Sequence, residues 1–429
     1  MNLLSIERED SLRHNRWVRT ALYEYGMLKE AIAAPQDVQA VARSIDRLCQ
    51  LARVAPTAQT KLRVEDKIHE RIRLLNGRNF DWSEFTPSIA QRRIPKAVVL
   101  KKWIGPREKG VIFISFEDQW VRLLRLADLK AFADRYTLVI SPAWSPPHSL
   151  INCVFPNVFP DPVFCLISNT NDLQIFPRLS KKYQMVPLYA CSWVNPEWYR
   201  AEPFENKDID IFMLANFGKY KRHFALFKAL RDMPPSVRVR LIGQNNEGRT
   251  ADTLLSEADH YGVRNRFELK TNATDNEVFE AFRRAKVSLI LSRREGSCVA
   301  VVESIFSGTP VGMYEDAEIG SRVFINEATG RLLQHHNLGA QLNEFIARAH
   351  RYRPREWALQ HDISCFSSTV TLNQALKQHA LASGREWTQD IAVHQWRPNP
   401  QLVSEQDKER LQREYEYISS QFGVAIGGG

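Results

Sequence analysis

The chain has 429 residues, 44% of them hydrophobic and 25% charged, with a formal net charge of +9. That length suffices for two core-forming domains, and the composition excludes a disordered or low-complexity chain. The positive balance asks for an anionic partner, but Lys and Arg are interleaved with Asp and Glu; with no basic stripe carrying interleaved aromatics, nucleic acid is not expected.

The opening residues, "MNLLSIEREDSLRHNRW", meet acids early and show no apolar core of signal-peptide length. The most apolar window, "SLINCVFPNVFPDPVFCLIS", holds three prolines and Asp161, so a membrane-spanning helix is not expected there. Six cysteines (Cys49, Cys153, Cys165, Cys191, Cys298, Cys365) are scattered without CxxC pairs or histidines at metal spacing. They read as reduced, buried thiols of a cytoplasmic protein, and no metal is expected.

Residues 1–95 read as a helical extension. "VQAVARSIDRLCQLARV" places Val38, Val41, Ile45, Leu48 and Leu51 on one face, and "LRVEDKIHERIRLL" does the same with Val64, Ile68, Ile72 and Leu75. Such stripes pack on the rest of the chain or meet a protein partner. Residues 96–205 change texture: strand-like "KGVIFISF", helical "WVRLLRLADLKAFADRY", then strands at "TLVIS", "DPVFCLIS" and "QMVPLYACS". Alternating strands and helices predict a parallel sheet covered on both faces. Residues 206–354 repeat the alternation more regularly, in five βα units from "IDIFMLAN" to "PVGMY". A helical tail, 355–429, completes the chain.

The chemistry gathers in "SRREGSCVAVVESIFSGTPVG", Ser292 to Gly312. Glu295 is expected beyond the carboxyl end of the strand "KVSLILS", where ligands of such sheets bind. Gly296 gives the backbone room to turn, and Ser297, Cys298 and Val299 open a helix whose first amides favour an anion. Glu303 lies further along that helix, and Gly308 caps its end. A carboxylate on each side of an anion-favouring helix end suits a sugar, a diphosphate and a ribose in a row.

These residues resemble the donor-site signature of retaining GT-B glycosyltransferases, above all the large family-4 group. Ser292, Glu295, Gly296, Glu303, Gly308, Thr309, Pro310 and Val311 match its pattern in order, and the resemblance runs over about 208–350. It implies an α/β, GT-B-like fold: two Rossmann-like domains facing a cleft, with a helical N-terminal extension. It also implies transfer of a sugar from a UDP- or GDP-linked donor to a hydroxyl of a glycan or lipid-linked acceptor, with retention and no further cofactor. Glu295 would meet the donor-sugar hydroxyls, Glu303 the ribose, and the amides of Ser297, Cys298 and Val299 the phosphates. In "NFGKYKRHF", Gly218, Lys219, Lys221 and Arg222 offer the second phosphate element, a loop whose cations can neutralise a leaving diphosphate. Lys221 takes the family's lysine position, but Asn216 stands where its arginine would be, so Lys219 is the expected substitute. Backbone groups of Lys270 and Thr271 would read the base. His148, in "SPAWSPPHSL" with Trp144, stands for the histidine that relatives present to the donor sugar.

Glu117, Asp118 and Asp172 are further candidates to orient an acceptor hydroxyl, while the Asp208–Asp210 pair reads as a linker. The charge leaves room for peripheral association with an anionic, cytoplasmic membrane face. The competing readings are a non-catalytic scaffold on the same fold, and an epimerase or phosphorylase.

Overall fold

The computed structural model describes residues 4–33, 35–75, 77–126, 128–142, 147–397 and 399–427; Trp144 lies outside them. The chain divides into two compact units, Ser11–Ala190 with Phe366–Gly429, and Met1–Asp10 with Cys191–Cys365.

The larger unit begins with helices. The first, α1 (Leu4–His14), crosses the division between the units, and α2 (Arg16–Ile32), α3 (Val38–Val54) and α4 (Ala58–Leu75) come after it. Asp37 starts α3 by accepting the Ala40 amide at 2.6 Å. The predicted stripes meet: Val41, Ile45 and Leu48 of α3 and Val64, Ile68 and Leu75 of α4 are buried, and the two helices pack on each other. A five-stranded sheet runs in sequence order through β1 (Ala97–Lys101), β2 (Gly110–Ser115), β3 (Tyr136–Ser141), β4 (Val163–Ile167) and β5 (Tyr183–Tyr189). Only β1 is antiparallel to its neighbour. β2 and β4 are buried throughout, as strands covered on both faces must be.

Two local features depart from the sequence reading. The strand β1 was not expected. The long helix expected over 120–136 is broken: Leu126 is extended (φ −62°, ψ 140°), and Asp128 restarts a helix at Leu129 by accepting the Ala131 amide at 2.7 Å. An Asp with free N–H groups ahead of it is a better start than an interior residue. The C-terminal helix Glu405–Phe422 lies along β1, where the Val99 amide donates to the Tyr415 hydroxyl at 3.0 Å.

The smaller unit holds six parallel strands: β6 (Ile209–Leu214), β7 (Val239–Gly243), β8 (Glu268–Thr271), β9 (Ala285–Ile290), β10 (Val311–Tyr314) and β11 (Gly330–Leu333). Their spatial order is β11-β10-β9-β6-β7-β8. The chain winds one way from β6 to β8, then returns to add β9 beside β6. This reversal makes the carboxyl ends of β6 and β9 the topological switch point, the place where open sheets of this kind take their ligands. No described helix is long and apolar enough to cross a membrane, and the six cysteines are buried and in no disulfide.

Candidate active site

The loops leaving β6 and β9 carry the two side chains that meet at the switch point. Lys221 Nζ donates to both carboxylate oxygens of Glu295, each at 2.7 Å. The pair is largely shielded, with 13% and 12% of the side chains exposed. Burial opposes the Lys221 charge, but the Glu295 carboxylate, with Cys298 and Tyr220 nearby, overrides it and holds the ammonium well above the usual lysine range. The lysine stays a cation at any working pH.

Backbone pairing fixes the Glu295 loop. The Glu295 amide donates to the Glu318 carbonyl at 3.2 Å, the Glu318 amide to the Arg293 carbonyl at 2.7 Å, and the Gly320 amide to the Gly296 carbonyl at 2.9 Å. The helix Val299–Phe306 then starts after Cys298, whose side chain makes no capping bond. Its opening amides are therefore not claimed by a side chain of the cap, and they carry the positive end of the helix dipole. Ser297 Oγ instead accepts the Cys191 amide at 3.1 Å. Gly308 comes after the helix with φ +68°, the left-handed conformation of a C-terminal cap.

Glu303 is 3% exposed and accepts from the Tyr199 hydroxyl at 2.7 Å. On the β6 side, Asn216 builds the loop: it accepts the Gly218 amide at 3.0 Å and donates to the Tyr220 hydroxyl at 2.8 Å. A Cβ on Gly218 would lie 2.6 Å from the Tyr220 ring and 2.8 Å from the Asn246 side chain, so a larger residue would have to displace both. Lys219 pairs with Glu9 at 2.8 Å. His223, next along, is buried; burial, with Arg249 and Lys221 nearby, brings its pKa down to about 3, and the ring adds no charge.

Lys270 and Thr271 end β8, and the Lys270 side chain pairs with Glu277 at 3.0 Å. Asp208 and Asp210 sit at the other end of the sheet, at the start of β6, where Arg284 holds Asp208 and Lys286 holds Asp210 at 2.7 Å. Among the described residues no cluster of His, Cys, Asp and Glu could hold a metal.

His148 belongs to the larger unit and is wholly buried. Its Nε2 lies 2.8 Å from Glu65 of α4, Arg178 holds the same carboxylate at 2.8 Å, and Arg53 of α3 donates to the His148 carbonyl at 2.9 Å. These contacts tie the loop that carries His148 to the helices α3 and α4. Asp172 is likewise internal, accepting the amides of Ser168 and Asn169 at 2.7 and 2.9 Å.

Residues 194–355 match the family model of glycosyl transferases group 1. That span is the six-stranded unit, with Lys221, Glu295 and Glu303 inside it. No curated protein matches the sequence. Among solved structures, sucrose-phosphate synthase from Thermosynechococcus elongatus superposes with a TM-score of 0.50 at 16% identity, covering 63% of this chain and 74% of that one. HepE from Anabaena, solved with UDP and glucose, gives 0.48 at 16% identity over 63% and 78%. The pneumococcal O-GlcNAc transferase GtfA, solved with UDP and GlcNAc, gives 0.44 at 14% identity, and the chain spans 55% of its length. The fold is the α/β GT-B fold.

Sequence reasoning missed Tyr199 and Arg293, whereas Arg222 was already among the cations of the "NFGKYKRHF" loop. Arg222 stands directly after Lys221. In the structure it takes up the left-handed conformation (φ 56°, ψ 44°) that glycine adopts without strain. Tyr199 reaches Glu303 across 104 positions of sequence, which no local pattern signals.

Proposed function

We propose that the chain is a retaining glycosyltransferase that moves a sugar from a nucleotide-sugar to an acceptor hydroxyl. The observation that carries this reading is the Lys221–Glu295 pair at the switch point, beside the opening of the helix that bears Glu303. The family match over the same residues supports it. An ion pair largely shielded from water is a poor way to stabilise a fold, since both ions lose much of their hydration. As a pair of ligand groups it is well placed. On donor binding, Glu295 accepts from sugar hydroxyls, while Lys221 and the amides of Ser297, Cys298 and Val299 face the phosphates. As the bond from anomeric carbon to phosphate oxygen breaks, negative charge builds on the leaving diphosphate, and the fixed positive groups stabilise it without having to reorganise. The diphosphate oxygen takes the acceptor's proton as the new glycosidic bond forms on the same face. Glu303 accepts from the ribose, with the Tyr199 hydroxyl orienting its carboxylate. His148 has no part in this reading.

The acceptor is a hydroxyl of a glycan or lipid-linked carrier, and the donor base is uracil or guanine. A thermal-shift panel of UDP, GDP, ADP and CDP with their common sugars tests the site. One nucleotide at one hundred times its dissociation constant should stabilise the wild type by about 2.7 kcal/mol. Glu303→Ala should remove most of that shift. If no nucleotide stabilises the wild type, the scaffold reading, which Asn216 in place of an arginine favours, takes over.

A further inference from the structure

Residues 4–10 pack with the smaller unit, apart from the helices that come after them in sequence. Ile6 is 3% exposed there. Two acids of this short helical segment fall on cations of the loops that border the switch point, and a third on a cation of the helix His223–Asp232. Glu9 pairs with Lys219 at 2.8 Å, and Asp10 lies 3.3 Å from Arg222 and 3.9 Å from Arg293. Glu7 pairs with Lys228 at 2.8 Å and accepts from the Tyr261 hydroxyl. The Asp10–Arg222 pair is nearly closed to solvent, with 15% and 6% of the side chains exposed.

The position of these cations matters. Lys219 and Arg222 flank Lys221 in the loop after β6, and Arg293 stands two residues before Glu295 in the loop after β9. Four cations held so close repel one another unless anions lie among them. Glu295 supplies one negative charge, and Glu9 and Asp10 supply two more. Arg222 adds a second sign. It is held in a left-handed backbone conformation with its guanidinium 5.1 Å from the ring centres of Phe224 and Tyr314. Such a conformation costs about 1–2 kcal/mol in a non-glycine residue and persists where the surroundings demand it.

We propose that the acidic segment Glu7–Asp10 is an intramolecular plug, which places two carboxylates on the cations that a donor diphosphate would take and must leave before the donor binds. This rests on the donor-site reading above. The ligand it mimics is the diphosphate of a nucleotide: two linked anionic groups, to be met by two or three cations. Glu7, on Lys228 and Tyr261, is the anchor that returns the segment to its seat. The apparent affinity for nucleotide is then the intrinsic affinity reduced by the fraction of molecules with the plug out.

The test is a calorimetric titration of UDP, GDP and ADP into the full chain and into the double variant Glu9→Gln/Asp10→Asn, with Glu7→Gln as a second, milder release. Removing both carboxylates should tighten nucleotide binding by about tenfold or more, and Glu7→Gln should tighten it by less. In the wild type, nucleotide should speed amide hydrogen exchange over residues 4–14. Equal affinity in wild type and double variant would leave the donor site standing and remove the plug. Weaker binding in the variant would also remove it, because the acids would then be holding the nucleotide. If none of the three nucleotides binds either protein, the donor-site reading fails and the plug falls with it.

Discussion

Lys221 is where charge, geometry and chemistry converge, so its removal is the most informative single change. A buried ammonium kept protonated by Glu295 is a fixed charge, and a fixed charge aimed at a leaving diphosphate acts only as the bond breaks. We expect Lys221→Ala to lower kcat by about 10²–10³ with a smaller effect on KM. Lys221→Arg, which keeps the charge but not the point-like geometry, should recover part of the rate. The same steady-state experiment, with products read by proton NMR, should show the donor's anomeric configuration in the product of both wild type and variant. Inversion would remove the retaining mechanism; an unchanged kcat in Lys221→Ala would remove the lysine from it.

At the scale of elements, the helical region is held to the first sheet by one buried polar cluster. Burial alone would raise the Glu65 carboxyl, but hydrogen bonds from His148 and Arg178 overcome this and bring it down to about 2 from its ordinary 4.5. A carboxyl whose folded pKa is depressed binds fewer protons folded than unfolded between those two values, so its stability contribution is present above about 4.5 and lost as the pH falls towards 2. The amount is about 3 kcal/mol. Glu65→Gln should cost a similar amount at neutral pH, and the variant should lose less stability than the wild type between pH 5 and 3, read from amide exchange in α4. An equal acid response in both proteins would take Glu65 out of the docking. The helices themselves were legible in the sequence, since their apolar residues recur at three and four. The strands β6 to β10 were legible for a similar reason: short β-rich runs alternate with helical ones. What sequence did not reveal is what each face meets. The Glu65–His148 contact joins residues 83 apart and the Glu9–Lys219 pair residues 210 apart. Neither has a local signature. The strand β1 was missed because five residues after a proline carry too short a period.

The molecule as a whole is two cores joined by a chain that passes between them after Asp10, after Ala190 and after Cys365. Each core has its own sheet, so each should have its own unfolding equilibrium, and a single melting temperature would average two unlike events. The proposed donor groups Lys221, Glu295 and Glu303 all lie in the smaller unit, whereas Glu65, His148 and Arg178 all lie in the larger one. A ligand that binds only one folded core stabilises only that core, by about 2.7 kcal/mol at one hundred times its dissociation constant. For a core of this size that is a rise of about 5–10 °C. Calorimetry should therefore resolve two transitions: the stabilising nucleotide should raise one and leave the other in place, and Glu65→Gln should lower the other and leave the first. If nucleotide and Glu65→Gln move the same transition, the two cores unfold as one cooperative unit, and the assignment of donor binding to the smaller unit alone loses its thermodynamic support.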